Sequence, residues 1–129
     1  MLKLFFLLCF LCAVFGRNTF RSNIPNGFAV PNPCGSGYWN GVGHYDSKGG
    51  GILNPFGSDF SNNYRRWTIA LCTADSDGDG KTNGEELGDP TCDWFSSSTA
   101  NLPAATGHPG ICEPIGSPSC AAQEGKFSC

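Results

Sequence analysis

The segment Asp75-Ser76-Asp77-Gly78-Asp79-Gly80-Lys81-Thr82-Asn83-Gly84-Glu85-Glu86 matches every specified position of the calcium-loop pattern D-x-[DN]-x-[DN]-G-x5-E. Gly80 stands where such a loop turns sharply, which a side chain would hinder. Carboxylates packed this closely repel one another unless a cation binds between them. The segment therefore predicts a structural Ca2+ site, with a solvated acidic turn as the alternative. The predicted ligands are the carboxylates of Asp75, Asp77 and Asp79, the backbone carbonyl of Lys81, the side chain of Asn83 directly or through water, and both oxygens of Glu86.

The amino-terminal residues 1–16 have the organisation of a secretory signal peptide. Lys3 is the basic residue, the apolar run from Leu4 to Phe15 is the hydrophobic core, and Gly16 is a small residue at its end. The run is too short to span a bilayer. We expect cleavage after Gly16, so that residues 17–129 form a single secreted, extracellular domain without a membrane partner.

Cleavage would remove Cys9 and Cys12 and leave six cysteines in the exported domain. An even number in a small secreted chain indicates a disulfide framework, whose connectivity the spacing leaves open. A zinc site is the competing interpretation, but no C-x2-C pair remains among the six. We therefore predict that all six are oxidised, namely Cys34, Cys72, Cys92, Cys112, Cys120 and Cys129.

The charge balance of the chain excludes one class of partner. The full sequence has 8 basic and 11 acidic residues, so loss of Lys3 leaves a net charge of −4. Most of the acidic excess lies between Asp75 and Asp93. A clustered stripe of basic residues is typical of nucleic-acid-binding proteins. This sequence lacks such a stripe, so we expect no nucleic-acid partner.

Turn-forming residues dominate both sides of the calcium loop. Proline and glycine recur from Arg17 to Gly57 and again from Thr91 to Cys129, so long regular elements are not expected there. We expect disulfides and buried aromatic side chains to hold these loops together. The aromatic candidates are Phe28, Tyr38, Trp39 and Phe56.

One helix is predicted, from Asp59 to Thr73, because apolar side chains recur along it at helical spacing. It leads into the calcium loop, whereas Glu85 to Leu87 form barely one turn before Gly88. Calcium sensors move two full helices, so a structural ion is expected instead of a switch. The predicted fold is a small disulfide-rich, loop-dominated α+β domain with one main helix leading into an EF-hand-like calcium loop. The apolar face comprises Phe60, Tyr64, Trp67 and Leu71.

Two histidines are the candidates for catalysis. His44 lies near Asp46, as a base beside an acid would, but spacing identifies no serine or cysteine nucleophile for either histidine. We interpret His44 as a hydrogen-bonded structural residue. His108, which precedes Pro109, is interpreted as a surface or turn residue. We expect no enzymatic activity.

The sequence resembles the temptin family of small secreted pheromone proteins of molluscs in four short motifs followed by the calcium loop. The similarity extends from about Ile24 to Cys112, nearly the whole exported domain. The matching segments are Ile24-Pro25-Asn26-Gly27, Val30-Pro31-Asn32-Pro33-Cys34, Gly41-Val42-Gly43-His44, Leu53-Asn54-Pro55-Phe56-Gly57 and the run from Asp75 to Cys92.

The resemblance implies a component of a water-borne pheromone complex that stimulates attraction and mating by binding another pheromone protein, attractin. It also implies two disulfides, Cys34–Cys72 and Cys92–Cys112, which leaves Cys120 and Cys129 to pair with each other. It does not identify the binding face or the oligomeric state. Loops on a rigid scaffold commonly carry recognition, so the segment from Pro25 to Gly51 is the candidate surface.

An extracellular matrix or biomineral-associated calcium-binding protein is the alternative function. Long acidic runs are typical of mineral binding, whereas this chain has one calcium loop and a modest net charge. Expression in secretory glands of the reproductive tract would favour the pheromone function. Expression in mineralising tissue would favour the alternative.

Overall fold

The computed structural model describes residues 20–129. The predicted signal peptide, residues 1–16, and its cleavage site lie outside this range. Short helices are joined by long irregular loops, and Phe20 and Arg21 are also helical. Each helix in this range is too short or too polar to cross a lipid bilayer. The elements are α1 (Pro55–Asn62), α2 (Ile69–Thr73), α3 (Asn83–Leu87) and a 3-10 helix (Pro118–Gln123).

The loop-dominated, disulfide-rich character of the predicted fold is confirmed, but its β component is wrong for residues 20–129. Two isolated antiparallel bridges occur there, one between Pro31 and Tyr38 and one between His44 and Leu53. Pro31 lacks the amide donor that a longer ladder would need. The chain between His44 and Leu53 contains Gly49–Gly51, which all have positive φ angles. Neither bridge therefore extends into a strand.

The prediction of one helix from Asp59 to Thr73 is wrong, because two helices cover this region. The first, α1, begins earlier, at Pro55. Asn54 caps it by accepting the backbone N–H of Gly57 at 2.9 Å. A proline in the first turn is compatible with a helix because that turn leaves its amides unpaired anyway. The entry to the helix is therefore set by the Asn54-Pro55 pair.

The interruption between α1 and α2 follows from side chains that hydrogen-bond across it. The Thr68 hydroxyl donates to Asn63 Oδ1 at 2.6 Å, and the same hydroxyl caps α2 by accepting a backbone N–H. Between these residues, Tyr64 and Arg65 have φ angles of 59° and 56°, which a right-handed helix does not accommodate. Tyr64 is consequently 87% exposed and lies outside the apolar face predicted for it.

The hydrophobic core joins the amino-terminal loops to α1, α2 and α3. Trp67 packs against it from the segment between α1 and α2. Phe56 and Phe60 stack within it, with ring centroids 6.0 Å apart. Removal of this apolar surface from water is the main force that holds the loops against the helices. The buried residues of the cluster are Ile24, Val30, Val42, Phe56, Phe60, Leu71 and Leu87.

The predicted burial of the loop aromatics is confirmed for two of the four. Trp39 is 3% exposed and Phe56 is fully buried. Phe28 and Tyr38 are instead 53% and 61% exposed, so their predicted burial is wrong. The ring of Phe28 lies against the Arg21 guanidinium, 4.5 Å from its centroid, and this contact covers one face of the ring.

Asn54 is a fully buried polar side chain that ties the loops to α1. Its amide donates to the carbonyls of Val42 at 2.8 Å and His44 at 3.1 Å. A Cβ atom at residue 110 would lie 2.2 Å from Asn54 Oδ1, so glycine is required at that contact. The amino-terminal loops, α1 and the carboxyl-terminal segment therefore meet at one side chain.

His108 is fully buried, so its predicted place at the surface is wrong, although it does form a turn. Nδ1 accepts the backbone N–H groups of Gly110 at 3.0 Å and Ile111 at 3.2 Å. Its ring meets Trp39 edge-on at 5.3 Å. Burial lowers the pKa of His108 to about 3, which makes the neutral imidazole the stable form at neutral pH.

All six cysteines of residues 20–129 are oxidised, as predicted, but the pairing implied by the resemblance is wrong. The three bridges are Cys34–Cys129, Cys72–Cys92 and Cys112–Cys120. Cys72 is buried at the end of α2, and its Cα atom lies 5.8 Å from that of Cys92, just beyond α3. Cys34 lies in the amino-terminal loops and meets Cys129 instead. Pairing follows spatial neighbours, which the order of cysteines along the chain does not reveal.

We predict that peptide mapping without reduction will recover Cys34 linked to Cys129. This bridge closes a loop of 95 residues and is worth about 4.7 kcal/mol in chain-entropy terms. Because both cysteines are at least partly exposed, the C34S/C129S double variant should lose stability without opening a cavity. Recovery of a Cys34–Cys72 peptide would contradict this connectivity.

We predict that His108→Asn will reduce the acid sensitivity of the fold. The folded pKa of His108 is about 3 and the unfolded value is near 6.5, so the unfolded chain binds the proton first as pH falls. Stability from the neutral imidazole is present in full above about pH 6.5 and is lost towards pH 3, at up to about 1.4 kcal/mol per pH unit. Asparagine can accept the same backbone N–H without titrating.

The measurement is the free energy of unfolding in urea between pH 7 and pH 4 for both proteins. Carboxylates, including Glu113, which accepts the His108 backbone N–H at 2.9 Å, are common to both and cancel in the comparison. The free energy of unfolding should fall more steeply with decreasing pH for the wild type than for the variant, so the difference between the two free energies should narrow. Parallel pH profiles would contradict the assignment.

Candidate metal centre

Asp75 organises the first half of the loop between α2 and α3. Its Oδ1 atom accepts the backbone N–H groups of Gly78 at 3.0 Å and Asp79 at 3.2 Å, and Oδ2 accepts that of Gly80 at 2.8 Å. Gly78 and Gly80 have φ angles of 72° and 94°, a region that glycine occupies without strain. The sharp turn predicted at Gly80 is confirmed.

The carboxylates of Asp75, Asp77 and Asp79 converge on one point. One oxygen from each lies within 4.8 Å of the others, a spacing at which a single cation can contact all three. Asp79 Oδ1 accepts the backbone N–H of Lys81 at 3.1 Å, which continues the turn towards the next predicted ligand. Asp77 Oδ2 is buried without a hydrogen-bond partner.

Glu86 approaches this cluster from α3. Its side chain is 1% exposed, and the carboxyl groups of Asp77 and Asp79 lie near enough to raise its pKa. One of its carboxylate oxygens, Oε2, is buried and has no hydrogen-bond partner. A buried carboxylate oxygen without a partner is costly, and a cation beside it would supply the missing interaction. Glu86 therefore lies near the loop carboxylates, but within residues 20–129 the group whose oxygens lie within 4.8 Å of one another comprises Asp75, Asp77 and Asp79 without Glu86.

The protonation of the cluster reflects its burial and crowding. Burial, a hydrogen bond to Asp79 and the nearby charges of Asp77, Asp79 and Glu113 raise the pKa of Glu86 to about 11. Burial and the charge of Asp79 raise the pKa of Asp77 to about 9, against a smaller opposing effect of the Asp79 backbone amide. Without a cation, Asp77 and Glu86 are therefore protonated at neutral pH.

Asn83 holds the two ends of the loop together. It is fully buried, and its Nδ2 donates to the Leu71 carbonyl and to Ser76 Oγ, both at 2.8 Å. Its Oδ1 accepts the Ser76 backbone N–H at 3.3 Å. Ser76 Oγ in turn donates to Asp59 Oδ2 at 2.7 Å, which connects the loop to α1. Because the side-chain amide of Asn83 already makes three hydrogen bonds within the protein, Asn83 is better placed to contact an ion through a water molecule than directly.

The exit helix α3 is a single short turn, as predicted. Thr82 Oγ1 accepts the Glu85 backbone N–H at 3.1 Å, and Glu85 Oε2 accepts that of Thr82 at 2.8 Å. This reciprocal cap fixes the start of α3, and Gly88, with φ of 82°, ends it. The carboxylate of Glu85 is thereby engaged in capping, while Glu86 faces the cluster.

Two acidic residues near the loop have structural roles that sequence reasoning did not identify. Glu113 lies across Gly107 from Glu86, since a Cβ on Gly107 would be 3.5 Å from Glu86 Oε1 and 3.6 Å from Glu113 Oε1. Asp89 is 3% exposed, and its Oδ2 accepts the Trp67 indole N–H at 2.8 Å. Neither belongs to a recognisable motif, so only the folded arrangement reveals them.

Within residues 20–129, neither histidine side chain is hydrogen-bonded to an acidic side chain or to a serine or cysteine. His44 Nδ1 is buried without a hydrogen-bond partner, so the expectation of a hydrogen-bonded ring is wrong at that atom. The backbone carbonyl of His44 accepts the Trp39 indole N–H at 3.1 Å, which gives the residue a structural role. His108 is buried with Nδ1 occupied by backbone donors.

Comparison with known proteins identifies the family. The model of the family described as "Temptin C-terminal" matches residues 14–111. The chain is also 46% identical over 114 residues to temptin of Aplysia californica, which covers 87% of this chain and 91% of the relative. The chain belongs to the temptin family.

Temptin of Aplysia is a pheromone protein, so this chain is a homologue of a secreted signalling protein. Because the similarity covers nearly the full length of both chains, it includes the candidate metal loop and the amino-terminal loops of the fold. No solved structure matches the temptin-family chain.

Proposed function

We propose that the protein is a secreted component of a water-borne pheromone complex that stimulates attraction and mating. It acts by binding another pheromone protein, attractin-like in kind, and not by catalysis. The 46% identity to temptin over nearly the whole chain carries this proposal. A small domain with three disulfides suits a signal released into water, because the bridges disfavour unfolding after dilution.

We propose that the loop binds one structural Ca2+. The three converging aspartates support this proposal, and so does Glu86, whose unpaired buried oxygen provides a separate indication. The backbone carbonyl of Lys81 would add a ligand, and Asn83 would act through water. With a single-turn exit helix, ion binding would stabilise the fold without moving a second long helix.

We predict that Ca2+ will raise the melting temperature of the wild-type protein and that Glu86→Gln will remove most of this increase. An isolated extracellular site binds with a Kd of about 10⁻⁴–10⁻³ M, and saturation at about 100 times Kd adds roughly 2.7 kcal/mol. Glu124→Gln is the matched control, because it removes the same charge from an exposed residue. An unchanged wild-type melting temperature would refute calcium binding.

The pheromone function is tested by immobilising the recombinant exported protein and exposing it to the secreted protein fraction of the animal that produces it. Retained proteins are identified by mass spectrometry, and the same preparation is assayed for attraction alone and in the natural blend. We expect retention of a small secreted protein and a gain of attraction in the blend. If no secreted protein is retained and the preparation attracts nothing alone or in the blend, the result would favour a matrix or mineral-associated calcium-binding protein.

A further inference from the structure

A groove of about 560 Å³ runs between α1 and the amino-terminal loops, on the part of the chain that the structure describes. Ile24, Val42 and Phe60 are buried side chains of its lining and make its floor apolar. Phe20 and Leu53 also line it, and they are 41% and 43% exposed. Exposed apolar side chains beside an apolar floor are typical of a surface that binds another molecule.

The charges around this groove oppose those of the rest of the domain. Residues 20–129 contain six basic side chains, and half of them, Arg21, Lys48 and Arg65, line the groove. Its lining includes no aspartate or glutamate, although the same residues 20–129 contain all 11 acidic residues of the chain. Within this range, none of the three basic groups forms an ion pair. The groove is therefore a basic site in an acidic protein.

Two of the basic groups are held in place by aromatic rings. The Arg65 guanidinium lies 5.1 Å from the centroid of Phe20, and that of Arg21 lies 4.5 Å from the centroid of Phe28. Arg65 reaches its position through a positive φ angle, and its carbonyl accepts the Asn23 side-chain N–H at 3.3 Å. Such pre-positioning reduces the conformational entropy that a guanidinium loses when it binds an anion.

Glycine backbone forms much of the wall. A Cβ at residue 41 would lie 2.3 Å from the backbone nitrogen of Gly49, so the two loop segments touch backbone to backbone. Gly41 N–H also donates to the Ser47 carbonyl at 2.8 Å, which closes the loop immediately before Lys48. The wall is therefore preformed, and it lies in the segment from Pro25 to Gly51 that sequence reasoning selected as the candidate surface.

We propose that this groove binds an acidic, apolar segment of a partner protein, with acidic side chains at Arg21, Lys48 and Arg65 and apolar side chains on the floor. Charge complementarity supports this occupant, because within residues 20–129 the groove offers three basic side chains without an ion pair and no carboxylate. A free inorganic anion would leave the apolar floor unused. The proposal rests on the proposed function and specifies the chemistry of its partner.

The probe is a short fluorescein-labelled peptide in which Glu alternates with Leu. Two counter-probes carry Lys in place of Glu or Ser in place of Leu. Binding is measured by fluorescence polarisation at low and high NaCl. We expect the Glu-Leu peptide to bind most tightly and its affinity to fall as salt rises, because salt screens exposed charges.

The K48Q/R65Q double variant should weaken binding of the Glu-Leu peptide by about tenfold, as expected for the loss of charged hydrogen bonds. The matched control is R66Q/K126Q, which also removes one lysine and one arginine but lies outside the groove. The control should bind like the wild type. Tryptophan fluorescence and a cooperative thermal transition, compared with those of the wild type, establish that both variants fold.

Equal affinity for the Glu-Leu and Lys-Leu peptides would overturn the proposal, as would an equal loss in the control variant. Binding of oleate at the groove without binding of the peptide would assign it to a lipid instead. Both variants are also assayed in the pheromone blend. An active K48Q/R65Q variant would reject the groove and leave the proposed function intact. If the wild-type protein binds the peptide but attracts nothing, the groove assignment would stand and the proposed pheromone function would be rejected.

Discussion

The close contact between α2 and α3 at Gly84 is the constraint on which the remaining structure depends. A Cβ at this position would lie 2.5 Å from Cys72 Sγ and 2.6 Å from the carbonyl oxygen of Asp89, so only glycine allows the helices to meet. Because they meet so closely, the connecting loop must fold back on itself. This brings Asn83 beneath Leu71 and Glu86 against the carboxylates. The Cys72–Cys92 bridge closes the same corner.

The carboxyl-terminal segment completes the fold by supplying partners to buried polar groups. The backbone N–H groups of Thr106 and Gly107 donate to the Glu86 carbonyl at 2.8 Å and 3.3 Å. Gln123 donates to the Gly110 carbonyl and accepts the Cys112 backbone N–H, at 3.0 Å and 2.9 Å. Few of these contacts belong to regular secondary structure. Side-chain hydrogen bonds, disulfides and one apolar core thus hold the domain together. Larger proteins rely more on the backbone hydrogen bonds of helices and sheets.

The sequence predicted the structure correctly where the interactions join residues that are only a few positions apart in the chain. The loop geometry from Asp75 to Gly80 and the single turn of α3 follow from local residue order, and both were predicted. The break after α1 depends on Thr68 reaching back to Asn63, a side-chain contact that apolar spacing does not reveal. Disulfide pairing and the burial of His108 depend on which distant segments meet. The basic groove is built from separate stretches of the chain, so no single motif could indicate it.

The scarcity of regular structure has a practical consequence for anyone who handles the protein. The short helices contribute a weak far-ultraviolet dichroism signal, so a correctly folded sample could be mistaken for a disordered one. Trp39 is 3% exposed, and the Trp67 indole donates to Asp89 next to α3. Both side chains therefore report on tertiary packing. Tryptophan fluorescence is therefore the informative signal for judging refolding, oxidation and the response to added ions.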